Sequence, residues 1–251
     1  MTSRLADVDQ TLDLPPGYTL VALRELGDAF AHGCEIAAEA GAGTLIWVRR
    51  YDLIEFAVVL EPNEPLTSAR RAFFAGMNAV ADAIAAHCPP ERDVCFEWPD
   101  AIRFVAGLLG GARLGWPGDC GEADVPAWLV FGVILRAADM AHIDEVQAAS
   151  GVSLLGAGFE MIETDAIIGS FARHLMTAFD CWNERGFDAI ARDYLERLPR
   201  REARERRSID LNGDLLVKPQ AGGGPPERTS LVDALAKANW YDPHSRGPKL
   251  G

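Results

Sequence analysis

Glu97-Trp98-Pro99-Asp100, followed eight residues later by Leu108-Leu109-Gly110-Gly111-Ala112-Arg113-Leu114, is the most informative stretch of the chain. Short apolar runs surround it. Val94 to Trp98, Ile102 to Ala106 and Ala112 to Trp116 read as three strands, with Gly107, Gly110 and Gly111 between the last two. Pro117 to Ala123 reads as a loop. Beyond it, Ala127 to Arg136 is the most apolar run, the pattern of a central strand covered on both faces.

Upstream, Leu23 to Ala40 carries Leu26, Phe30, Cys34, Ala37 and Ala38 at helical spacing, and Gly41 and Gly43 end that helix. Thr44 to Val48 and Ile54 to Leu60 have strand character. The polar Arg49, Arg50, Tyr51 and Asp52 between them suggest a hairpin. Thr67 or Ser68 is the expected cap of a long helix to His87, stopped by Pro89-Pro90. Downstream, helices are expected around Ile143 to Ala149, over Glu163 to Asn183 and over Phe187 to Leu198. Arg197 to Arg207, with six arginines, reads as a charged linker or an exposed helix extension. Asn212-Gly213 between Ser208–Leu211 and Asp214–Val217 is the signal of a two-residue hairpin turn. Ala221 to Pro226 reads as a Gly/Pro-rich link, Leu231 to Ala238 as a short helix, and residues 1–18 and the tail as irregular. Mixed hairpins with flanking helices give an α+β class. The expected division is a main domain over 1–200 and a linker with a small β-containing domain over 201–251.

The chain has 251 residues, 49% hydrophobic and 24% charged, enough for a sizeable core. Its net charge is −13, which argues against nucleic acid or anionic membrane as a partner. The longest apolar stretch, Ala127 to Leu135, is far short of the roughly 20 residues of a membrane helix. Met1 to Asp13 is acidic and polar rather than a basic-apolar leader, so a cytoplasmic protein is expected. Five scattered cysteines, with no CxxC, argue against a structural metal site or a disulfide framework. The five histidines are dispersed, and no GxSxG, Walker, HExxH or GxGxxG motif is present. Lysines occur only at 218, 237 and 249, so chemistry in residues 1–217 that needs a cation must use arginine.

The Trp98-Pro99-Asp100 turn followed by Gly110-Gly111 resembles the biotin/lipoate protein ligase superfamily, whose pattern is Lys-Trp-Pro-Asn-Asp, a strand, then Lys-x-Gly-Gly/Ala-Ile-Leu. Other pieces follow in the same order. Gly43-Thr44-Leu45-Ile46-Trp47 leads into Phe56–Leu60 like that family's ligand loop and core strand. Trp128–Leu135 sits like its central strand, and Val152-Ser153-Leu154 like the Thr-Ser-Leu before its long helix. Gly186-Phe187 and Tyr194-Leu195 sit like the end of its catalytic domain. Ile209–Val217 resembles the first hairpin of the small C-terminal domain of biotin ligases. The resemblance implies a mixed sheet with flanking helices. It also implies a two-step activity in which ATP and a carboxylic acid give an acyl-adenylate that a carrier-domain lysine attacks.

Residue by residue, the resemblance points to Gly43, Trp47, Arg49, Trp98, Asp100, Arg103, Gly110, Gly111 and Arg113 as ligand-binding candidates. It leaves the catalytic residues open. The departures are chemical. Gly41-Ala42-Gly43-Thr44 stands in place of the arginine-rich glycine loop, Glu97 in place of the first lysine and Leu108 in place of the second. Two readings follow. Either Arg49, Arg50, Arg103 or Arg113 supplies the charge, arginine being a bidentate binder of carboxylate and phosphate, and the chain is a divergent ligase or acyltransferase. Or the chain keeps a binding pocket without adenylation. Thiol transfer, as in octanoyl transferases of the same superfamily, would call on Cys120 or Cys95. The implied partners are a small acid such as biotin, lipoate or octanoate and a carrier protein, with ATP and Mg if adenylation is retained. A pocket filled by Leu108 and tryptophan side chains would favour binding over catalysis.

Overall fold

The computed structural model describes residues 12–88, 92–105, 107–138, 151–159, 164–200, 205–218 and 225–249. Seven strands form one mixed sheet in the order β1-β2-β3-β7-β6-β5-β4. They are β1 Thr19–Leu23, β2 Thr44–Val48, β3 Leu53–Leu60, β4 Val94–Glu97, β5 Ala101–Phe104, β6 Gly107–Gly115 and β7 Leu129–Arg136. Only β1 and β2 pair in parallel; every other neighbour is antiparallel. The apolar run expected to be central is β7, fourth of seven and buried along its whole length.

Side-chain alternation divides the two faces. Ile54, Phe56 and Val58 of β3, with Leu129, Phe131, Val133 and Leu135 of β7, enter the main core. That core is closed by α3 (Ala72–His87), α4 (Thr164–Arg185) and α5 (Phe187–Arg197). Twelve of the sixteen α3 residues are buried, because sheet and helices surround it. On the opposite face α1 (Ala29–Ala40) covers only part of the sheet, packing Ala29 and Ala37 on Ile46, Val48, Ala57, Val59 and Val130. The rest of that face is covered by the C-terminal segment, with Trp240 against Leu53, Ala101 and Ile134.

Several expectations are corrected. Leu23 ends strand β1 rather than opening a helix. The helix starts at Ala29, where the Asp28 carboxylate accepts from the Ala31 N–H at 2.8 Å. Leu26 is 87% exposed and lies outside the helix. The long helix is broken into α2 (Leu66–Ala69) and α3, with no side-chain cap on either. The Leu66 and Thr67 N–H groups bond instead to the backbone carbonyls of Asp124 and Glu122. A distant loop thus does the work expected of Thr67 or Ser68. Arg70 and Arg71 at the break face separate carboxylates, Glu122 and Glu64. Gly107, Gly110 and Gly111 lie inside β6, where pairing to both β5 and β7 fixes the backbone.

The Asn212-Gly213 hairpin exists as β8 (Arg206–Ile209) and β9 (Leu215–Lys218), but with a longer turn. Asp210 Oδ1 accepts from both Asn212 and Asp214, and only Gly213 takes positive φ. The charged run therefore ends in strand β8. The third strand of this small sheet is β10 (Glu227–Thr229), and α6 (Leu231–Leu235) follows. The tail carries a two-stranded ladder, β11 (Tyr241–Asp242) with β12 (Gly247–Pro248). The helix expected around Ile143–Ala149 and the first part of the lead-in lie outside the described residues. No described helix is long and apolar enough to cross a membrane.

Candidate functional site

The sheet register sets Ala101, Gly111, Ile134 and Glu55 side by side on β5, β6, β7 and β3. This row lies on the face that α1 leaves uncovered. Gly111 has no room for a side chain, since a Cβ there would overlap the Trp240 ring. A Cβ on Gly110 would overlap the Ile134 carbonyl. The turn before β5 contains a cis Trp98–Pro99 peptide bond, and the Tyr194 hydroxyl donates to the Pro99 carbonyl at 2.8 Å. Asp100 follows, 4% exposed, and accepts from Trp240 Nε1 at 3.0 Å. Burial pushes the Asp100 carboxyl up to about 7, with the indole N–H opposing.

Beside this row stands Arg113. Its guanidinium lies 4.8 Å from the Phe30 ring and 4.5 Å from the Tyr241 ring. Its Nη2 is buried without a hydrogen bond, 3.9 Å from Asp28 Oδ1. Glu55 Oε1 accepts from the Ala29 N–H at the start of α1. Its Oε2 is buried without a hydrogen bond, and desolvation raises the Glu55 carboxyl. Arg136 Nη2 donates to the Pro248 and Lys249 carbonyls at 3.0 and 3.1 Å, and Arg246 donates to the Leu26 and Gly27 carbonyls. The face thus combines a glycine-lined floor, guanidiniums and two buried carboxyls. Such donors can hold a small carboxylate in bidentate fashion.

Not all the candidate residues meet here. Gly111 and Arg113 share this face two residues apart on β6, and Asp100 is tied to it through Trp240; Gly110, paired with Leu135, alternates toward the main core. Trp98 and Arg103 line an adjoining cavity of about 270 Å³, together with Asp100, Leu108, Lys237 and Trp240. Trp98 stacks on Phe74, and Arg103 pairs with Glu97 at 2.8 Å. Trp47 points into the opposite core, 3% exposed, with Arg49 over its ring at 5.4 Å. Arg50 chelates Asp52 at 2.7 and 3.0 Å. Gly43 stands at the far end of β2, in a separate cavity of about 590 Å³ with Tyr18, Leu175, Phe179 and Trp182. The residues that local patterns did not reveal are Trp240, Tyr241 and Lys237. Trp240 is 140 positions from its hydrogen-bond partner, and no local periodicity signals such a contact.

The 270 Å³ cavity carries the carboxyls of Glu97 and Asp100 and the cations Arg103 and Lys237 on its wall. The Cys95 thiol is pushed up by desolvation and by Asp93, that of Cys120 by desolvation and by Asp124 and Asp119. A raised thiol supplies less thiolate at neutral pH. Among the described residues no cluster of three or more His, Cys, Asp or Glu is placed to hold a metal ion.

The chain belongs to the biotin/lipoate A/B protein ligase family, whose model matches residues 14–196. A biotin protein ligase-like protein of unknown function from Silicibacter sp. TM1040 superposes with a TM-score of 0.75 at 22% identity, covering 89% of this chain and 99% of that one. The biotin protein ligase of Aquifex aeolicus gives 0.65 at 13%, covering 86% and 97%. That of Leishmania major, in complex with biotinyl-5-AMP, gives 0.52 at 13%, covering 86% and 99%. At these identities the likeness is one of fold. No curated protein matches the chain. Family membership supports a ligase-like function in the broad sense.

Proposed function

We propose that this chain binds a small carboxylic acid on the Gly111 face, with Arg113 as the receiving cation, and that it has lost adenylation. The observation that carries the reading is Arg113. Its Nη2 is buried, lacks a hydrogen bond and stands 3.9 Å from Asp28 Oδ1, longer than a charge-assisted hydrogen bond. A carboxylate placed there gains charge-assisted bonds that Phe30 and Tyr241 do not supply. The Ala29 N–H end of α1 and the Glu55 carboxyl lie beside it. The family's structural relatives include the Aquifex aeolicus enzyme in complex with biotin and ATP, which makes biotin the first acid to try, with lipoate and octanoate following from the sequence resemblance.

Adenylation requires cations around the α-phosphate, because negative charge crowds there in the transition state. Here Glu97 and Leu108 take the positions where the family pattern has lysines, and Arg103 is paired with Glu97. The Trp240 indole and Leu108 cluster together on the same face. One observation favours a second reading, that of an active divergent ligase or acyltransferase serving a carrier protein. Lys237 reaches the cavity that also holds Trp98, Asp100 and Leu108, so the C-terminal segment brings an amine to the motif turn.

The experiment pairs calorimetric titration with ATP–pyrophosphate exchange on the full chain. Biotin, lipoate, octanoate and shorter acids are the ligands. Binding without exchange, weakened tenfold or more in Arg113→Gln, supports the proposal. Exchange with any acid, lost in Lys237→Met, replaces it with the second reading. No binding by any acid to folded protein sinks both.

A further inference from the structure

The segment over 239–249 covers the acid face, yet it is bound to the sheet by side chains and not by the sheet's ladder. Its β11–β12 hairpin is a separate two-stranded unit. Five sets of contacts hold it down, one of them the Arg246 bonds to the Leu26 and Gly27 carbonyls. The Trp240 indole lies on Gly111 and donates to Asp100. The Tyr241 ring stacks on Arg113. Arg136 takes the Pro248 and Lys249 carbonyls. Gly247 sits against Leu53.

Two of these, at Arg113 and at Gly111, are also contacts an acid would use. A carboxylate on Arg113 must displace the Tyr241 ring from it, and a ligand on Gly111 must displace the indole. The segment has a firm anchor on its N-terminal side. Leu231 is fully buried in the main core, and its N–H donates to Asp214 at 2.9 Å. Between that anchor and Trp240, Ala238 takes φ +38°, a left-handed conformation that strains a residue with a Cβ. Arg246, in the turn just before β12, takes φ +53°. Strain at the Ala238 link, with no ladder from the hairpin to the sheet, describes a segment hinged on its N-terminal side.

We propose that residues 239–249 are an internal occupant of the acid face, and that docking of this segment and binding of the acid exclude one another. The proposal rests on the acid reading above for the identity of the competitor, but not for the opening of the segment. Release of the hairpin frees Arg113 and uncovers Gly111. It leaves the seven-stranded sheet, α6 and the small β8–β9–β10 sheet in place.

Hydrogen exchange on the full chain tests the opening. The Tyr241 amide, bonded to the Ala238 carbonyl, and the Lys249 amide, bonded to the Trp240 carbonyl, report on the segment. Amides of the β3–β7 ladder report on the sheet. Expected is exchange at least about 100-fold faster in the segment than in the ladder. Exchange of both sets together, only on global unfolding, overturns the proposal. Trp240→Ala then tests exclusion with octanoate, biotin and lipoate. The expected result is about tenfold or greater tightening relative to the wild-type chain. Unchanged or weaker binding overturns exclusion. Should Trp240→Ala not fold, Tyr241→Ala carries the same comparison, since it removes the ring from Arg113 and leaves the indole. Independent opening with no acid bound by any form supports the hinged segment and overturns the acid reading alone.

Discussion

Asp100 is a carboxyl held near 7 under an indole, and this gives it a pH signature. Its folded value lies above the ordinary 3.8, so the folded state holds a proton that the unfolded chain has already released. The contribution is therefore fully present below about 3.8, is lost progressively as pH rises to about 7, and changes no further above that. The whole span is worth at most about 4 kcal/mol. Asp100→Asn keeps an acceptor for Trp240 Nε1 without the charge. Thermal unfolding from pH 4 to 8 should show the difference between variant and wild type growing in the variant's favour as pH rises. A constant difference would remove Asp100 as the titrating group. Gly111 makes a second prediction at this scale. A Cβ there overlaps both the Trp240 ring and the Asp100 carbonyl, so Gly111→Ala should cost about 1–3 kcal/mol in urea unfolding. In a Trp240→Ala background part of that cost should vanish, leaving the share due to Asp100. Strict additivity in the double-mutant cycle would mean that the indole does not rest on Gly111 in solution.

Among the elements, α1 couples fold to site most directly. Its first turn carries Asp28 as cap, Ala29 as donor to Glu55, and Phe30 under Arg113. Asp28→Ala should cost about 1 kcal/mol in stability through the lost cap, read as a lower urea midpoint at unchanged slope. The elements legible in the sequence are those whose pattern is local and long. Strand β7 declares itself through eight consecutive residues that need no polar alternation, because both of its faces are covered. The helical spacing over 163–183 similarly foretells α4. Strand β1 escapes because five residues on a sheet edge, none of them fully buried and without a period-two burial pattern, carry little signal. The start of α2 at Leu66 escapes because the carbonyls that take its first N–H groups come from residues 122 and 124. The site divides in the same way. The turn at Trp98–Asp100 and the glycine pair are contiguous in sequence, so their motif is readable. Gly43 was grouped with them by motif order alone. The strand register puts it several residues along the sheet from the Gly111 row, where geometry associates it with a different cavity.

Over the whole molecule, the division into 1–200 and 201–251 meets a packing argument. Ile209 and Leu215 of the small sheet and Leu231 of α6 belong to the same apolar cluster as Phe73, Phe74 and Tyr194. Arg207 further donates to the Leu195 and Leu198 carbonyls around the end of α5. A unit whose apolar residues are completed only by its neighbour has little core of its own, and some fifty residues are few for independent stability. We therefore expect residues 12–235 to unfold as one cooperative body. Far-ultraviolet circular dichroism, which follows the helices of the main part, and amide exchange in β8–β9 should give the same unfolding free energy. Two separated transitions, with the β8–β9 amides released first, would make residues 201–251 an autonomous domain docked on a self-sufficient one. The hairpin over 239–249 is expected to depart from this cooperativity, since it shares neither the main core nor the main ladder. A chain of this kind combines a rigid body that fixes Asp100, Gly111 and Arg113 with a weakly held segment above them. That combination lets a site be precise when open and covered when empty. It also makes the stability of the segment, rather than that of the fold, the quantity that sets how readily an acid gains access.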